Sequence, residues 1–298
     1  MPICRSLFLL CLILALAGCA APAAAPTPTA AAPTFAAPGR TPAPPPSPTP
    51  APTAAPTQPP VCAETAGQVV DAQMESQYLP RPLQVRLYLP PCYQARPAQP
   101  YPLLVLLHGQ GSDAGQWERL GVTTRADWLM GHGLLPPLLI AMPYEQDSLA
   151  DPSASPYAQA LAEEMLPWLA GEYGACAERG CRAVGGISRG AAWAARLALE
   201  FDQPLGAAGL HSLAPFYGDY NRLPYQVREI PAGQMPAVWM DSGSHDRYLS
   251  QARYYHELLE DYGVAHVFQL FAGEHDEVYW TRGIDRYLRW YGQQLAQP

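Results

Sequence analysis

The chain has 298 residues, with 18 basic and 26 acidic side chains and a formal net charge of −8 at pH 7. Every basic residue is an arginine, so no lysine amine is available for a P-loop phosphate site, a pyridoxal Schiff base or a Ser–Lys dyad. The negative charge, without any basic cluster, argues against a nucleic-acid partner.

The first 18 residues are interpreted as a lipoprotein signal peptide. Arg5 supplies one positive charge before the apolar run 7–16, which is too short to span a bilayer. The run ends in "LAGC", which resembles the lipobox of bacterial lipoproteins. That resemblance implies cleavage before Cys19 and a lipid anchor on its thiol. An ordinary secretory signal is the alternative, and in either case the chain is expected to be exported to the cell envelope, outside the cytoplasm.

Residues 19–60 are predicted to be a Pro/Ala/Thr-rich tether. Fifteen of the 35 prolines lie between residues 20 and 60, and Arg40 is the only charged residue there. Such a composition forms neither helix nor sheet and is typical of an extended, semi-rigid spacer. Residues 61–298 then remain for one large domain.

Cysteine use agrees with export. Once the signal and Cys19 are set aside, four cysteines remain, which suggests disulfides in an oxidising compartment and allows three pairings. Cys176 and Cys181 enclose only "AERG", so we expect a local loop closed by this pair. Cys62 and Cys92 would then join the start of the domain to the end of a strand. A Cys₄ metal site is the rival interpretation, but the spacing contains no C-x₂-C pair.

Beyond residue 61, short apolar runs alternate with segments of helical spacing. The predicted strands are 83–90, 101–109, 136–143, 182–187, 206–211, 236–243 and 265–273, and the predicted helices are 157–174, 190–201, 250–263 and 279–295. This alternation predicts βαβ units, and therefore a mostly parallel sheet with helices on both faces.

The sequence "GGISRG" contains a G-x-S-x-G motif, with a predicted strand before it and a predicted helix after it. In that context the motif is typical of a nucleophile elbow, which exposes Ser188 at the carboxyl end of the sheet. The elbow would also direct the Arg189 backbone N–H toward a developing oxyanion. A plain strand-to-helix turn is the alternative.

A serine nucleophile needs a histidine base that is oriented by a carboxylate, and this fold supplies them after later strands. The segment "VWMDSGSHD" offers Asp241 and Asp246, and "AGEHDEVYW" offers His275. Asp246 is the predicted acid because it stands in the loop, whereas Asp241 lies within the apolar strand. A role for Asp246 at the start of the next helix is the alternative. Asp276 is expected to point away from its neighbour His275.

Together these motifs, with "LYLPPCY" and "YPLLVLLHGQGSDAGQW", resemble the serine esterases of the α/β-hydrolase superfamily, a group that includes esterase D-like enzymes, feruloyl esterases, enterochelin esterases and mycolyltransferases. The resemblance covers most of residues 80–295 and implies the α/β-hydrolase fold, with Ser188 as nucleophile, Asp246 as acid and His275 as base. It also implies that the Gln110 backbone N–H pairs with that of Arg189 in the oxyanion hole, with Gly111 as the alternative donor. Ala191 departs from the glycine usual in this family.

Two further residues are predicted to contact substrate: His211, at the end of a strand, and Trp280, near the base. His108 is expected to have a structural role. A metal site formed by His211, His245 and Asp246 has no recognisable spacing, so neither a metal nor a cofactor is expected. The loop 212–235 is expected to shape the cleft.

The sequence therefore predicts an exported, membrane-tethered serine esterase that hydrolyses carboxylic esters through an acyl-enzyme. An acyltransferase that uses the same triad is one alternative, and a catalytically silent cell-surface binding module is another. The loop 212–235 shows no apolar helical stripe that could form a lipase lid. Soluble short-acyl, aromatic or saccharide esters are therefore expected as substrates, in preference to long-chain triglycerides.

Overall fold

The structure is a computed structural model that describes residues 62–95, 97–201, 205–231 and 233–295. The predicted signal peptide, Cys19 and the predicted tether lie outside the described residues and stay predictions. Within those residues, no helix combines the length and the apolar character needed to cross a membrane.

The described residues contain eight strands, which form one sheet in the order β1-β2-β4-β3-β5-β6-β7-β8. The strands are β1 Gln68–Met74, β2 Leu83–Leu89, β3 Leu103–Leu107, β4 Leu139–Pro143, β5 Arg182–Ile187, β6 Ala207–His211, β7 Ala237–Gly243 and β8 His266–Phe271. Strand β2 pairs antiparallel with both β1 and β4, and all other pairs are parallel. The predicted mostly parallel sheet is confirmed.

In the same described ranges, eight α-helices connect and cover the strands. They are α1 Gln116–Arg119, α2 Val122–Gly131, α3 Tyr157–Ala160, α4 Leu166–Tyr173, α5 Arg189–Leu199, α6 Asp219–Glu229, α7 Leu249–Asp261 and α8 Glu277–Gln294. The predicted helix 157–174 is present, but a π-helical turn at Leu161–Met165 separates α3 from α4. Pro167 cannot donate a helical hydrogen bond, and a widened turn accommodates its ring.

The central strands are buried on both faces, as their continuous apolar runs predict. In β3, Leu103, Val105 and Leu107 belong to a core covered by α3 to α7. The alternate residues Leu104 and Leu106 belong to a second core, covered by α1, α2 and α8. The helices on both faces leave the carboxyl ends of the parallel strands β3 to β8 as the edge at which a site can form.

The segment 212–235 differs from the prediction, because it contains helix α6. Only Asp219 and Leu223 of this helix are buried, and Pro224 lies inside it. The expectation that this segment shows no apolar helical stripe is wrong: Tyr220, Leu223 and Val227 recur at helical spacing, and Leu223 lies in the core with the other two packed against it. The helix is also anchored by an ion pair between buried Asp219 and Arg196, whose Nη2 lies 2.8 Å from Oδ1 of Asp219.

Both predicted disulfides are confirmed. Cys176 is joined to Cys181, with their Cα atoms 6.1 Å apart, and Cys62 is joined to Cys92, with a Cα separation of 5.8 Å. The first bond closes the turn before β5. The second ties the segment that precedes β1 to the end of β2, so each bond restrains a connection at the margin of the sheet.

Candidate active site

Ser188 occupies the sharp turn between β5 and α5. Its backbone angles, φ 57° and ψ −120°, are rarely adopted by residues other than glycine. The flanking glycines are required for close packing: a Cβ on Gly186 would lie 2.1 Å from the Gly190 oxygen, and one on Gly190 would lie 2.2 Å from the Leu107 oxygen. The strained turn places Ser188 in the wall of a cleft. This is the local geometry that the motif predicts.

Ser188, His275 and Asp246 form one hydrogen-bonded chain across three loops. The Ser188 hydroxyl lies 2.8 Å from Nε2 of His275, and Nδ1 of the same ring lies 2.9 Å from both carboxylate oxygens of Asp246. A carboxylate can only accept at Nδ1, so Nδ1 donates and Nε2 is left to accept from the serine. The loops that follow β5, β7 and β8 bring the three residues together.

The pKa of Asp246 lies below its ordinary value of 3.8. Burial alone would raise this pKa, but the hydrogen bonds from His275 and from the Tyr248 backbone N–H, the nearby His275 charge and the proximity of the Ser212 hydroxyl more than offset it. The Tyr248 N–H lies 2.8 Å from Oδ1 of Asp246. Asp246 therefore remains an anion that can hold an imidazolium. Nothing in the single sequence indicated Ser212 or Tyr248 as its partners.

Asp276, which follows His275 directly, points away from the imidazole as expected. Its carboxylate accepts a hydrogen bond from the Tyr279 backbone N–H at 2.9 Å and caps the N-terminus of α8. An acidic cap satisfies a free N–H and favours the positive end of the helix dipole. The cap fixes where α8 begins, and thereby fixes the loop that carries His275.

His211 does not face the cleft, so the prediction that it contacts substrate is wrong. The residue is fully buried. Nδ1 of His211 lies 2.5 Å from Oδ1 of Asp241, and Nε2 lies 2.9 Å from the Tyr291 hydroxyl. Its ring stacks on Tyr287 with the centroids 3.7 Å apart. The side chain leaves β6 on the face that α8 covers, which seals it from any ligand.

Trp280 also differs from its prediction, since it is 6% exposed and is not among the residues that line the cleft. Its indole N–H donates to the Ser212 hydroxyl at 3.0 Å, and its ring meets the His275 imidazole edge to face at 5.2 Å. The first turn of α8 directs the indole inward behind the imidazole. Trp280 therefore packs against the His275 imidazole rather than in the wall of the cleft.

The two predicted oxyanion donors, Gln110 and Arg189, both line the cleft beside Ser188. Arg189 is the first residue of α5, so its backbone N–H has no acceptor within the helix. The Gly111 N–H, the alternative donor, is used in a hydrogen bond to the Ser148 hydroxyl at 3.1 Å. Among the hydrogen bonds of the described residues, none uses the backbone N–H of Gln110 or Arg189. This pattern favours Gln110 over Gly111.

The cleft has a volume of about 450 Å³. Phe216, Tyr217 and Tyr248 supply aromatic surface, Arg222 and Asp151 supply charge, and Ser188 lies in the wall. Tyr217 is fully exposed. The site therefore combines aromatic faces with polar groups and is open to water.

Two buried arginines build the wall of the cleft. Nη2 of Arg189 lies 2.7 Å from Oε1 of Glu145, and its Nε also donates to the same carboxylate. The guanidinium groups of Arg189 and Arg196 lie on the Phe216 ring, 5.1 and 4.6 Å from its centroid. Glu145 was missed in the sequence, although it follows β4 directly at the edge where the site forms. Because both arginines have acidic partners, they serve as rigid walls rather than as free charges.

The described residues contain one group of three possible metal ligands, Cys62, Glu64 and Cys92, and its two sulfur atoms are joined to each other. A disulfide sulfur is not a thiolate, so this group does not fit a metal ion.

The strand order, the elbow and the order Ser–Asp–His define an α/β-hydrolase fold. Residues 76–291 match the protein family described as "Putative esterase", and the chain belongs to this family. It is a carboxylic ester hydrolase, as the sequence predicts.

Solved structures share the fold at low sequence identity. A ferulic acid esterase is 22% identical with a TM-score of 0.67, over 78% of this chain and 99% of that chain. An S-formylglutathione hydrolase from Staphylococcus aureus is 19% identical with a TM-score of 0.64, over 76% of this chain and 96% of that chain. A ferulic acid esterase from Anaeromyces mucronatus, in complex with ferulic acid, is 18% identical with a TM-score of 0.62, over 75% of this chain and 90% of that chain. At such identities the likeness shows the fold alone.

Proposed function

We propose that this esterase works through an acyl-enzyme on Ser188, with His275 as general base and acid and Asp246 as the group that orients it. The observation that carries the proposal is the chain of contacts from Ser188 Oγ to His275 Nε2, at 2.8 Å, and from His275 Nδ1 to Asp246, at 2.9 Å. A serine hydroxyl is a weak nucleophile until such a base removes its proton.

In the first half of the reaction, Ser188 Oγ bonds to the ester carbonyl carbon while its proton passes to His275 Nε2. The same proton then goes to the leaving alkoxide as the carbon–oxygen bond breaks, which releases the alcohol. In the second half, water attacks the acyl carbon and gives a proton to His275. That proton returns to Ser188 Oγ as the acid leaves.

The negative charge that develops on the carbonyl oxygen needs fixed donors. The proposed pair of donors consists of two backbone N–H groups. One belongs to Gln110 in the loop after β3, and the other belongs to Arg189 at the N-terminus of α5. Support comes from their position in the cleft beside Ser188 and from their unused hydrogen-bonding capacity within the described structure.

The test is covalent labelling with a fluorophosphonate probe, followed by peptide mapping. Wild-type protein and the control Ser153→Ala, which alters another serine in the cleft, should both be labelled at Ser188. Ser188→Ala should be neither labelled nor active on a p-nitrophenyl ester, while its circular dichroism spectrum is retained. Labelling of Ser188→Ala at another serine would overturn the assignment of the nucleophile.

The proposed substrates are soluble esters with an aromatic or saccharide portion. The exposed Tyr217 ring and the Tyr248 ring suit stacking. Arg222, at the edge of the cleft, pairs with Glu200 through Nη2 but is half exposed, so its other N–H groups suit hydrogen bonding to a ligand. Helix α6, which covers this side, packs its apolar face, Leu223 and Val227, against the core, so that face is not free for an oil–water interface. Two of the structurally similar proteins are named as ferulic acid esterases, which agrees with this choice.

A chain-length series from acetyl to palmitoyl esters tests the substrate class, with a feruloyl ester and an acetylated sugar alongside. We expect kcat/KM to be highest for the acetyl, feruloyl or sugar esters and to fall with longer chains. A rate that rises with chain length, and increases sharply once the substrate forms an interface, would indicate a lipase.

We further propose that the chain is exported and anchored through Cys19, with residues 19–60 as the tether. The lipobox-like sequence and the proline-rich composition support this, and the two disulfides suit an oxidising compartment. Expression with a radiolabelled fatty acid should label wild-type protein but not Cys19→Ala, and the variant should leave the membrane fraction. A wild-type chain without label would contradict the anchor.

A further inference from the structure

The Gln116 side chain links the loop that carries the proposed oxyanion donor Gln110 to the start of α8, next to the proposed base His275. Its Oε1 accepts the Gly109 backbone N–H at 2.8 Å, and its Nε2 donates to Oε1 of Glu277 at 3.1 Å. Gly109 precedes the proposed oxyanion donor Gln110, and Glu277 is the first residue of α8, two residues after His275. We propose that Gln116 is a positioning residue that holds the oxyanion loop in register with the base; this rests on the proposed function.

The position of the peptide unit between Gly109 and Gln110 determines where the proposed oxyanion donor, the Gln110 N–H, points. Its C=O accepts hydrogen bonds from Nδ1 of His108 at 2.8 Å and from the Ser112 N–H at 3.2 Å, while its N–H is the proposed oxyanion donor. These two contacts lie within the oxyanion loop itself. The Gly109 N–H, on the preceding peptide, is held by Gln116, which also reaches α8.

The chemistry of the partners fixes the orientation of the Gln116 amide. A backbone N–H needs an oxygen and a carboxylate needs a donor, so the reversed amide would place NH₂ against N–H and C=O against carboxylate. Gln116 is also buried, at 5% exposed, so water cannot readily replace a lost partner. The Gln116 amide therefore serves both sides, whereas a carboxylate at this position would serve only the Gly109 side.

An oxyanion donor acts mainly in the transition state, since the carbonyl oxygen moves toward it as charge develops. A small displacement of the Gln110 peptide relative to His275 should therefore lower kcat and leave KM nearly unchanged. A loss that came only from general destabilisation would instead lower the folded fraction and leave the kcat of folded molecules unchanged.

The test is a cycle of three variants. Gln116→Glu keeps the oxygen that accepts from Gly109 but sets a carboxylate against Glu277, and Glu277→Gln keeps an oxygen that accepts from Gln116. The double variant Gln116→Glu/Glu277→Gln exchanges the two groups, so the amide at 277 can donate to the carboxylate at 116. Gln293→Glu, which adds a negative charge at an exposed position of α8, is the control.

We expect Gln116→Glu to lower kcat on p-nitrophenyl acetate about 10–100-fold with KM within a factor of about two. The double variant should regain most of the loss, while Glu277→Gln and Gln293→Glu should stay near wild type. Thermal unfolding of each variant checks that the protein is folded at the assay temperature, so that the kcat values of folded molecules are compared.

A double variant as slow as Gln116→Glu, or a Gln116→Glu enzyme with unchanged kcat, would overturn the role of Gln116 and leave the proposed function intact. A wild-type chain that neither hydrolyses the ester nor reacts with a fluorophosphonate would instead overturn the proposed function, and this inference with it.

Discussion

The part of the chain that the structure describes contains two buried histidine–aspartate pairs, of nearly equal chemistry and different surroundings. His275 lies 2.9 Å from Asp246, and His211 lies 2.5 Å from Asp241. All four side chains are almost inaccessible: the His275 side chain is 3% exposed and the other three are 0% exposed. Burial and a short contact therefore do not distinguish a catalytic pair from a structural one.

The two histidines differ in the group that contacts their Nε2 atom. Nε2 of His275 meets the Ser188 hydroxyl in the wall of the cleft, whereas Nε2 of His211 meets the Tyr291 hydroxyl inside the core. The second carboxylate oxygen of Asp241 is also occupied, since Oδ2 accepts hydrogen bonds from the Tyr279 hydroxyl at 2.5 Å and from the Tyr287 hydroxyl at 3.1 Å. The second pair joins β6 and β7 to α8.

The tyrosines around Asp241 remain protonated donors. Burial raises the pKa of Tyr279 and of Tyr287 far above the ordinary value of 10.0, and the nearby Asp241 charge raises both further. Phenols that keep their protons can donate to Asp241 throughout the range in which the protein folds. The cluster thus behaves as a fixed structural contact and takes no part in proton transfer at the cleft.

The largest expected effect separates the two histidines. His275→Ala should lower kcat about 10⁴–10⁶-fold, because both halves of the proposed reaction move a proton through its Nε2. His245→Ala, in the neighbouring loop and exposed, is the matched control and should keep wild-type activity. The measurement is initial rate on a p-nitrophenyl ester at saturating substrate. An active His275→Ala enzyme would remove the basis for calling its pair catalytic.

The two aspartates should show opposite phenotypes. Asp246→Asn should lower kcat about 10⁴-fold with little change in unfolding temperature, since an amide favours the wrong imidazole tautomer. Asp241→Asn should lower the free energy of unfolding by about 1–3 kcal/mol, because the amide NH₂ would face a buried donor, while the kcat of folded molecules stays within about tenfold.

Active-site titration with a fluorophosphonate, run beside thermal unfolding, separates rate per folded molecule from folded fraction. If folded Asp241→Asn proved the slower of the two variants, the assignment of the acid to Asp246 would be wrong.

Sequence reasoning locates strands β2 to β8, the elbow and the residues of the proposed triad because each leaves a local signal, whereas it missed the exposed edge strand β1 and the short helices α1 and α2. Strands β3 and β4 are continuous apolar runs, and the glycines beside Ser188 are required by backbone contacts. The direction of a side chain at a strand end leaves no such signal. His211 could turn either way at the end of β6, and only packing of α8 determines that it turns inward. Helix α6 is a different case, because Tyr220, Leu223 and Val227 recur at helical spacing in the sequence. Pro224 and the polar residues around this stripe favoured a loop, and the structure shows that the stripe prevails.

Substitutions of two aromatic residues, Trp280 behind His275 and Tyr217 at the cleft, should change the kinetic constants by smaller factors. Trp280→Phe removes the indole donor to Ser212 behind His275, so kcat should fall about tenfold with KM unchanged. Tyr217→Ala removes an exposed ring at the cleft, so KM for a feruloyl ester should rise severalfold with kcat little changed. Steady-state kinetics on acetyl and feruloyl esters measure both. A rise in KM for Trp280→Phe would restore it as a substrate contact.

The smallest expected effect concerns His108, a third buried histidine, which has a backbone partner on each nitrogen in place of a carboxylate. Its Nε2 accepts the Glu145 N–H at 2.9 Å, so the ring must be neutral in the folded protein. Burial lowers the pKa of His108 below its ordinary value of 6.5 and Arg189 lowers it further, although Gly109, Glu145 and Asp113 act in the opposite direction.

As pH falls through 6.5, the unfolded chain takes up a proton at His108 before the folded one does. The free energy of unfolding therefore decreases until the folded ring is protonated as well. His108→Gln keeps a donor and an acceptor but cannot titrate, so it should lack this part of the slope. Urea unfolding at pH 7.5 and pH 5.5 should show the advantage of wild type over the variant shrinking at the lower pH. Because the other histidines are common to both proteins, their contributions cancel, and parallel stability curves would mean that His108 is protonated to the same extent folded and unfolded.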